Sequence, residues 1–200
     1  MAKLVFYDKD HIYELDGEQI PSVSELSRFV SREIYGDVNK HTLDMACDKG
    51  SRIHRATEQL DKTGHCEVDE EILPYIEQYI QFRKDYGIKD SDFIAIEKPL
   101  ASAKMKFAGT LDRVVSIKKE LSIVDIKSGA QIKKQLAQIQ LPAYQNLWEE
   151  NYPDSRIIKR YILQLQPNKY KLIEFDFNTA LFDACYTLHQ ALAPKRKRRK

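Results

Sequence analysis

Three strand patterns follow one another between residues 92 and 127, and they constrain the fold more than any other part of the sequence. They cover residues 92–97, 106–117 and 121–127, where β-branched and aromatic residues favour strands. Residues 118–120 are short enough to join the last two strands as a hairpin. Because helical patterns lie before and after these strands, we predict an α/β or α+β fold with a mixed central sheet flanked by helices.

Other patterns complete the predicted order of elements. Four segments carry apolar residues at helical spacing, namely 39–61, 68–86, 133–151 and 179–192. Four further segments resemble strands, namely 3–7, 11–15, 157–164 and 170–177. A short helix opens after Pro21, with Ser22 or Ser24 as its N-cap.

Length and composition indicate a globular protein with one core. A chain of 200 residues, 42% hydrophobic and 31% charged, can bury the core of a single domain. We find no repeat or domain boundary, so we predict one domain over residues 1–193 and a disordered basic tail over residues 194–200. The net charge of +2 excludes a bulk polycation, and any contact with DNA must therefore come from a local patch. The tail is either such a patch or a solvated terminus without a role.

The cysteines and the apolar runs indicate a cytoplasmic setting. The three cysteines are Cys47, Cys66 and Cys185, and their spacing matches neither a disulfide framework nor a zinc site. No early run resembles a signal peptide, and no stretch approaches the roughly eighteen apolar residues of a membrane span. We predict a reducing location, in a bacterial or phage-infected cell, without membrane contact.

Charged side chains in the predicted hairpin could bind a divalent cation. Asp125 and Lys127 lie two positions apart on one strand and so share a face, and Asp112 lies on the neighbouring strand. Two carboxylates and the carbonyl of Ile126 would offer oxygen ligands to Mg²⁺ or Mn²⁺. Lys127 would then hold the attacking water or a scissile phosphate. The alternative is an ordinary Asp–Lys ion pair on a solvated strand face.

Two more residues could approach this site from other elements. His54 lies on the long helix, where an imidazole could ligate Mn²⁺, and Glu58 shares its face and could orient the ring. The alternative is an exposed or capped histidine. Glu97 ends the first strand of the trio and is either a ligand or base in the site or a surface residue before a turn.

The helix after the hairpin adds polar groups that could face a phosphate. Gln138, Gln140 and Tyr144 lie on this helix, and the last two share one face. An amide and a phenol can donate to phosphate oxygens without competing for a cation. The alternatives are a surface glutamine and a core tyrosine.

Taken in order, these segments resemble the motifs of the PD-(D/E)XK nuclease superfamily, in its RecB-like exonuclease branch. The matching segments are Gly50-Ser-Arg-Ile-His54, Glu97, Gly109-Thr-Leu-Asp-Arg113, Val124-Asp-Ile-Lys-Ser-Gly129 and Gln140-Leu-Pro-Ala-Tyr144. The opening His11-Ile-Tyr-Glu-Leu-Asp-Gly17, followed by Pro21-Ser-Val-Ser24, also resembles the start of small phage or prophage exonucleases of this branch.

The resemblance implies a fold, a metal and a set of site residues. It implies a restriction-endonuclease-like αβββαβ core and one or two Mg²⁺ or Mn²⁺ ions. The implied metal ligands are His54, Asp112 and Asp125, with the Ile126 carbonyl beside them. Lys127 is implied as the catalytic lysine, Gln140 and Tyr144 as residues lining the site, and Glu97 as an acid whose role varies.

The chain departs from the branch in two respects. Several relatives hold an iron–sulfur cluster with four cysteines, whereas this chain has three, so we expect no cluster. Asp112 follows Gly-Thr-Leu rather than proline, which is usual for this branch.

These observations lead to one main functional hypothesis and two alternatives. The main hypothesis is a metal-dependent exodeoxyribonuclease that acts on DNA ends in recombination or repair. The first alternative is a nuclease subunit that depends on a partner such as a single-strand annealing recombinase or a helicase. The second is a non-catalytic DNA-binding protein with a degenerate site. A homo-oligomeric ring around the product strand is a further possibility.

Overall fold

The computed structural model describes residues 3–192, so the predicted basic tail lies outside the described residues. The first part of the chain contains β1 (Leu4–Tyr7), β2 (Ile12–Leu15), β3 (Glu18–Ile20), α1 (Val23–Leu26), α2 (Arg28–Tyr35), α3 (Lys40–Thr63) and α4 (Leu73–Asp85). The second part contains β4 (Phe93–Ser102), β5 (Phe107–Ile117), β6 (Glu120–Lys127), α5 (Lys134–Asn151), β7 (Lys159–Gln166), β8 (Lys169–Glu174) and α6 (Ala180–Leu192).

A five-stranded mixed sheet forms the centre of the molecule, in the order β4-β5-β6-β7-β8. Strands β6 and β7 run parallel, and α5 connects them, whereas the other neighbours are antiparallel. This arrangement confirms the predicted mixed sheet flanked by helices and the αβββαβ order of the core.

Helices cover both faces of this sheet. On one face, Val124 and Ile126 of β6 belong to the apolar cluster that includes Ile53 of α3 and Tyr79 of α4. On the other face, Ile123 belongs to the cluster formed with α1, α5 and α6. Because side chains alternate along a strand, Asp125 points to the same side as Ile123. Burial on both faces explains why β6 is apolar almost throughout.

A small antiparallel sheet of β1, β2 and β3 docks beside the central sheet. Tyr13, Leu15 and Ile20 pack against Ala101 of β4 and Ala108 of β5. The Tyr13 hydroxyl also lies 2.9 Å from Thr110 Oγ1. The first two strands confirm the predicted pair, and the sequence analysis missed the third.

Several boundaries differ from the predictions for identifiable reasons. Helix α4 begins at Leu73 rather than at residue 68, because Pro74 lies in its first turn and the Asp69 carboxylate accepts from the N–H groups of Glu71 and Ile72. Strand β4 continues past Pro99, which an edge strand tolerates.

The N-terminal helices also refine the predictions. Ser22, rather than Ser24, caps α1, through a capping box with Glu25. Helix α2 was missed because it has only eight residues and directly follows the short helix α1. Within residues 3–192, no helix is both long enough and apolar enough to cross a membrane.

Candidate metal centre and active site

The candidate site forms where β5 and β6 separate. Their last backbone pair is Arg113 with Val124, whereas β6 continues to Lys127 beside β7. In the gap, the Ile126 N–H donates to Asp112 Oδ2 at 2.7 Å, and the Ile126 carbonyl lies 3.0 Å from His54 Nε2. Side chains thus replace the missing strand partner, and this brings α3 to the end of β6.

Three potential metal ligands meet at this gap. His54 Nδ1 lies 3.4 Å from Glu97 Oε1 and 3.6 Å from Asp112 Oδ1. One ligand atom from each of the three residues lies within 4.8 Å of the others. An imidazole nitrogen and two carboxylates form a donor set suited to Mn²⁺ and acceptable to Mg²⁺.

The charge of the two acids acts on His54. Burial alone would lower the pKa of this imidazole, but the carboxylates of Asp112 and Glu97 raise its pKa to about 9. In the absence of a cation the ring therefore carries a proton at neutral pH. A metal ion that uses Nδ1 has to displace that proton.

Glu97 reaches the site from an unusual backbone conformation. Its φ of 43° lies in the left-handed region, where glutamate is uncommon. Residues held there are typical of sites whose surroundings fix the backbone. The sequence analysis left Glu97 open between a site residue and a surface residue, and the structure places it in the site.

Asp125 and Lys127 lie on the α5 side of the sheet. Asp125 is 1% exposed, and its Oδ2 lies 2.5 Å from Lys127 Nζ, in an ion pair without hydrogen-bond geometry. Burial raises the pKa of Asp125. Burial alone would lower the pKa of Lys127, but the nearby carboxylates of Asp125 and Asp112 outweigh it and raise that pKa.

Two buried oxygens at the site fit a bound cation or a polar ligand. Within residues 3–192, Gln140 Oε1 has no hydrogen-bond donor, and Asp125 Oδ2 has only its ion pair with Lys127 Nζ. Buried acceptors are rarely left in this state, and a hard cation or an ordered ligand would satisfy them. The residues present therefore fit a divalent metal. The predicted ligands His54 and Asp112 lie together with Glu97, while the ligand role of Asp125 stays a prediction.

Helix α5 lines the site on the face of the sheet that carries Asp125 and Lys127. Tyr144 is 7% exposed, and burial raises its pKa well above the usual value, so its hydroxyl stays protonated. A Cβ atom on Gly109 would lie 2.9 Å from the Tyr144 ring and 2.9 Å from Val23, so only glycine allows this approach. Gln138 is exposed, in contrast to Gln140, which lines the site.

With the exception of Gln138, the predicted site residues line one cleft of about 1570 Å³. Its walls also include α2, α3 and the loop at 128–133. This volume exceeds the range of roughly 300 to 1000 Å³ that is usual for small-molecule sites. The cleft therefore has room for a segment of a polymer.

One sequence expectation is wrong, and two contributors were missed. Glu58 does not orient His54, because its carboxylate pairs with Lys62 and both ring nitrogens face other groups. Arg113 and Asp61 are buried polar neighbours of the site that the analysis did not single out. Arg113 directly follows Asp112 in the motif, and a charged residue inside an apolar strand was the available signal.

Comparison with protein families places the chain in a known superfamily. A profile for the PD-(D/E)XK nuclease superfamily matches residues 68–197, which is more than half of the sequence. The chain belongs to this superfamily, so nucleic acid is the class of substrate, and dependence on divalent metal is typical. No curated protein matches the chain.

Comparison with solved structures finds two matches of interest at low sequence identity. An exonuclease candidate from Eubacterium rectale has a TM-score of 0.54 at 10% identity, over 88% of this chain and 79% of the other. An alkaline exonuclease from Laribacter hongkongensis has a TM-score of 0.45 at 11% identity, over 85% and 84% of the two chains. At 10% identity, the similarity to the Eubacterium rectale structure shows a shared fold.

Proposed function

We propose that this protein is a metal-dependent exodeoxyribonuclease that hydrolyses phosphodiester bonds at DNA ends in recombination or repair. The main support for the proposal is the cluster of His54, Glu97 and Asp112 beside the ion pair of buried Asp125 with partly exposed Lys127. Structural ion pairs do not require an imidazole, three carboxylates and an amine at one strand end. This set matches the needs of metal-assisted phosphodiester hydrolysis.

His54, Glu97 and Asp112 would hold the cation. When bound, it would supply Lewis-acid polarisation of the scissile phosphate and lower the pKa of a bound water. We propose Asp125 as a further ligand, because its buried carboxylate lines the same cleft as His54 and Asp112 and can bind a cation besides pairing with Lys127. The Ile126 carbonyl, which faces His54, would offer another oxygen on the same side.

The remaining side chains would act on the substrate. Lys127 keeps its proton, so its ammonium would donate to the attacking water or to a phosphate oxygen and offset developing negative charge. Asp125 would hold that ammonium in place through their ion pair. The hydroxyl of Tyr144 and the amide of Gln140 would donate to other phosphate oxygens.

The proposed action at DNA ends rests on similarity to known exonucleases. It is supported by the motif resemblance to the RecB-like exonucleases and by the fold shared with the exonuclease candidate from Eubacterium rectale. A partner such as a single-strand annealing recombinase, and assembly into a homo-oligomer, remain part of the proposal. The basic residues at 195–200 would add salt-sensitive affinity for phosphates.

A cleavage assay on linear and closed circular DNA tests the proposal. The isolated protein would be incubated with end-labelled linear DNA and with circles, in Mg²⁺, Mn²⁺ or EDTA. We expect mononucleotide or short products from linear DNA, intact circles and no cleavage in EDTA. The matched variants are Asp112→Asn, which should lose about 10³-fold in cleavage rate, and Asp154→Asn, an exposed acid outside the cleft, which should keep the wild-type rate.

Other outcomes of the cleavage assay would point to different activities. Cleavage of circles would make the enzyme an endonuclease. Degradation of linear DNA by the isolated protein would remove the need for a partner. Absence of cleavage under all conditions, with or without an annealing protein, would overturn the nuclease proposal and favour a DNA-binding role.

A further inference from the structure

The buried guanidinium of Arg113 contacts two residues of the candidate metal centre, Glu97 and Asp112. Its side chain is 1% exposed and enters between the sheet and α3. Nη1 donates to Glu97 Oε1 at 2.9 Å and to the Asp112 carbonyl at 2.8 Å. Nε donates to Asp61 Oδ2 at 2.6 Å, and Nη2 donates to Thr57 Oγ1 at 3.1 Å.

The far end of this guanidinium is anchored by a buried network. Asp61 also accepts from the Tyr79 hydroxyl at 2.5 Å and from Arg83 Nη1 at 3.0 Å. Asp61 thus joins α3, α4 and β5 through three donors. A buried arginine is retained only where its charge and its donors are matched, and here Asp61 and Glu97 match the charge.

The hydrogen bond from Arg113 to Glu97 also holds the Glu97 carboxylate in position. Glu97 has a left-handed backbone on the edge strand β4, a conformation that needs support from its surroundings. The same Nη1 group binds the Glu97 carboxylate and the Asp112 backbone, so it fixes the separation between these two acids. Glu97 Oε1 is also the oxygen that faces His54 Nδ1.

We propose that Arg113 is a positioning residue that holds Glu97 against Asp112 and His54, so that the cation site is assembled before a cation binds. This inference rests on the proposed function, because it assigns Glu97 to the metal centre. Groups that orient metal ligands typically change metal affinity or activity by about 10- to 100-fold when they are mutated.

Mn²⁺ binding provides a test that does not depend on turnover. Electron paramagnetic resonance would measure the Mn²⁺ affinity of the full-length wild type, Arg113→Lys and Arg113→Met. We expect affinity to fall about 10- to 100-fold in Arg113→Met. Arg113→Lys should be intermediate, because an ammonium keeps the charge but cannot span Asp61 and Glu97 together. The control is Arg52→Met, because Arg52 on α3 also pairs with three acids, but its side chain is 29% exposed and those acids, Asp48, Asp69 and Glu71, lie outside the candidate metal centre.

A double-mutant cycle separates positioning from general destabilisation. If Arg113 acts through Glu97, the variant Arg113→Lys/Glu97→Ala should bind Mn²⁺ no more weakly than Glu97→Ala alone. This comparison uses the milder lysine variant, so it also decides the question if Arg113→Met fails to fold. Losses of affinity that add in full would overturn the inference, as would wild-type affinity in Arg113→Lys and Arg113→Met.

The two proposals fail in distinguishable ways. Wild type that binds Mn²⁺ and cleaves DNA, beside Arg113 variants that bind Mn²⁺ equally well, would remove only the positioning role. Wild type that neither binds Mn²⁺ nor cleaves DNA would overturn both.

Discussion

The two halves of the candidate site are held in different ways. In the histidine half, formed by His54, Glu97 and Asp112, each side chain has a directional partner, either in Arg113 or in the backbone of Ile126. In the lysine half, formed by Asp125 and Lys127, a single ion pair joins the buried carboxylate to an ammonium whose side chain is 37% exposed. The first half is preorganised by the fold, whereas the second is complete only when a ligand arrives. We therefore expect the histidine half to govern cation affinity and the lysine half to govern turnover.

The largest effect should come from Asp112→Asn, because Asp112 adjoins both halves. The amide can still accept from the Ile126 N–H, so the fold should survive, but the negative charge is lost. We expect the rate of DNA cleavage to fall about 10³-fold, at the upper end of what one preorganised charge supplies. Initial rates on end-labelled DNA measure this, with circular dichroism as the control for folding. A rate within tenfold of wild type would break the proposed role of Asp112.

For Lys127→Met we expect a slightly smaller loss of cleavage rate. This variant distinguishes the role of the lysine half in turnover from the role of the histidine half in cation binding. Cleavage should fall about 10²-fold because the positive charge near the phosphate disappears. Mn²⁺ affinity should stay equal or increase, since a competing cation has been removed. Parallel measurements of cleavage rate and Mn²⁺ binding give the answer. Loss of cation binding in this variant would contradict the division between the two halves.

Gln140→Leu should produce opposite effects on activity and stability. The buried Gln140 Oε1 has no donor within residues 3–192, so its removal should raise the free energy of unfolding by up to about 1 kcal/mol. The rate of cleavage should fall about tenfold, because a substrate contact worth about 1.4 kcal/mol is lost. Urea unfolding and cleavage rates test both. A destabilised variant would show that a partner satisfies this oxygen in the folded protein.

The smallest effect is expected for Glu58→Gln. Glu58 pairs with Lys62 on the surface of α3 rather than with His54, and such pairs contribute less than about 1 kcal/mol. Cleavage rate and Mn²⁺ affinity should both stay within about twofold of wild type, which corresponds to less than 0.5 kcal/mol. A tenfold loss of Mn²⁺ affinity in this variant would show that Glu58 supports cation binding by the histidine half.

The parts of the fold that could be predicted are those with a repeating local pattern. The strands carrying Asp112 and Asp125 and the helix carrying Tyr144 were recognisable because their apolar residues follow the period of the element. Helix α2 and strand β3 were missed because elements of eight and three residues are too short to stand out from their neighbours in the sequence. Asp112, Asp125 and Lys127 line one cleft, and the hairpin that joins their strands was the predictable part of this arrangement.

The parts that could not be predicted depend on contacts between distant residues. The left-handed backbone of Glu97 has no counterpart in a sequence pattern, because glutamate rarely adopts this conformation. The role of Arg113 depends on Asp61, which lies on another helix, so its position beside Asp112 was visible but its partners were not. Glu58 was assigned to His54 from helical spacing, whereas Lys62 at the same spacing was its partner.

The most direct test of the account is a Mn²⁺ titration of wild type and Asp112→Asn, monitored by electron paramagnetic resonance without DNA. The account predicts saturable binding to wild type and at least tenfold weaker binding to the variant, because the two halves adjoin at this carboxylate. Equal Mn²⁺ binding by both proteins would contradict a metal centre at the end of β6.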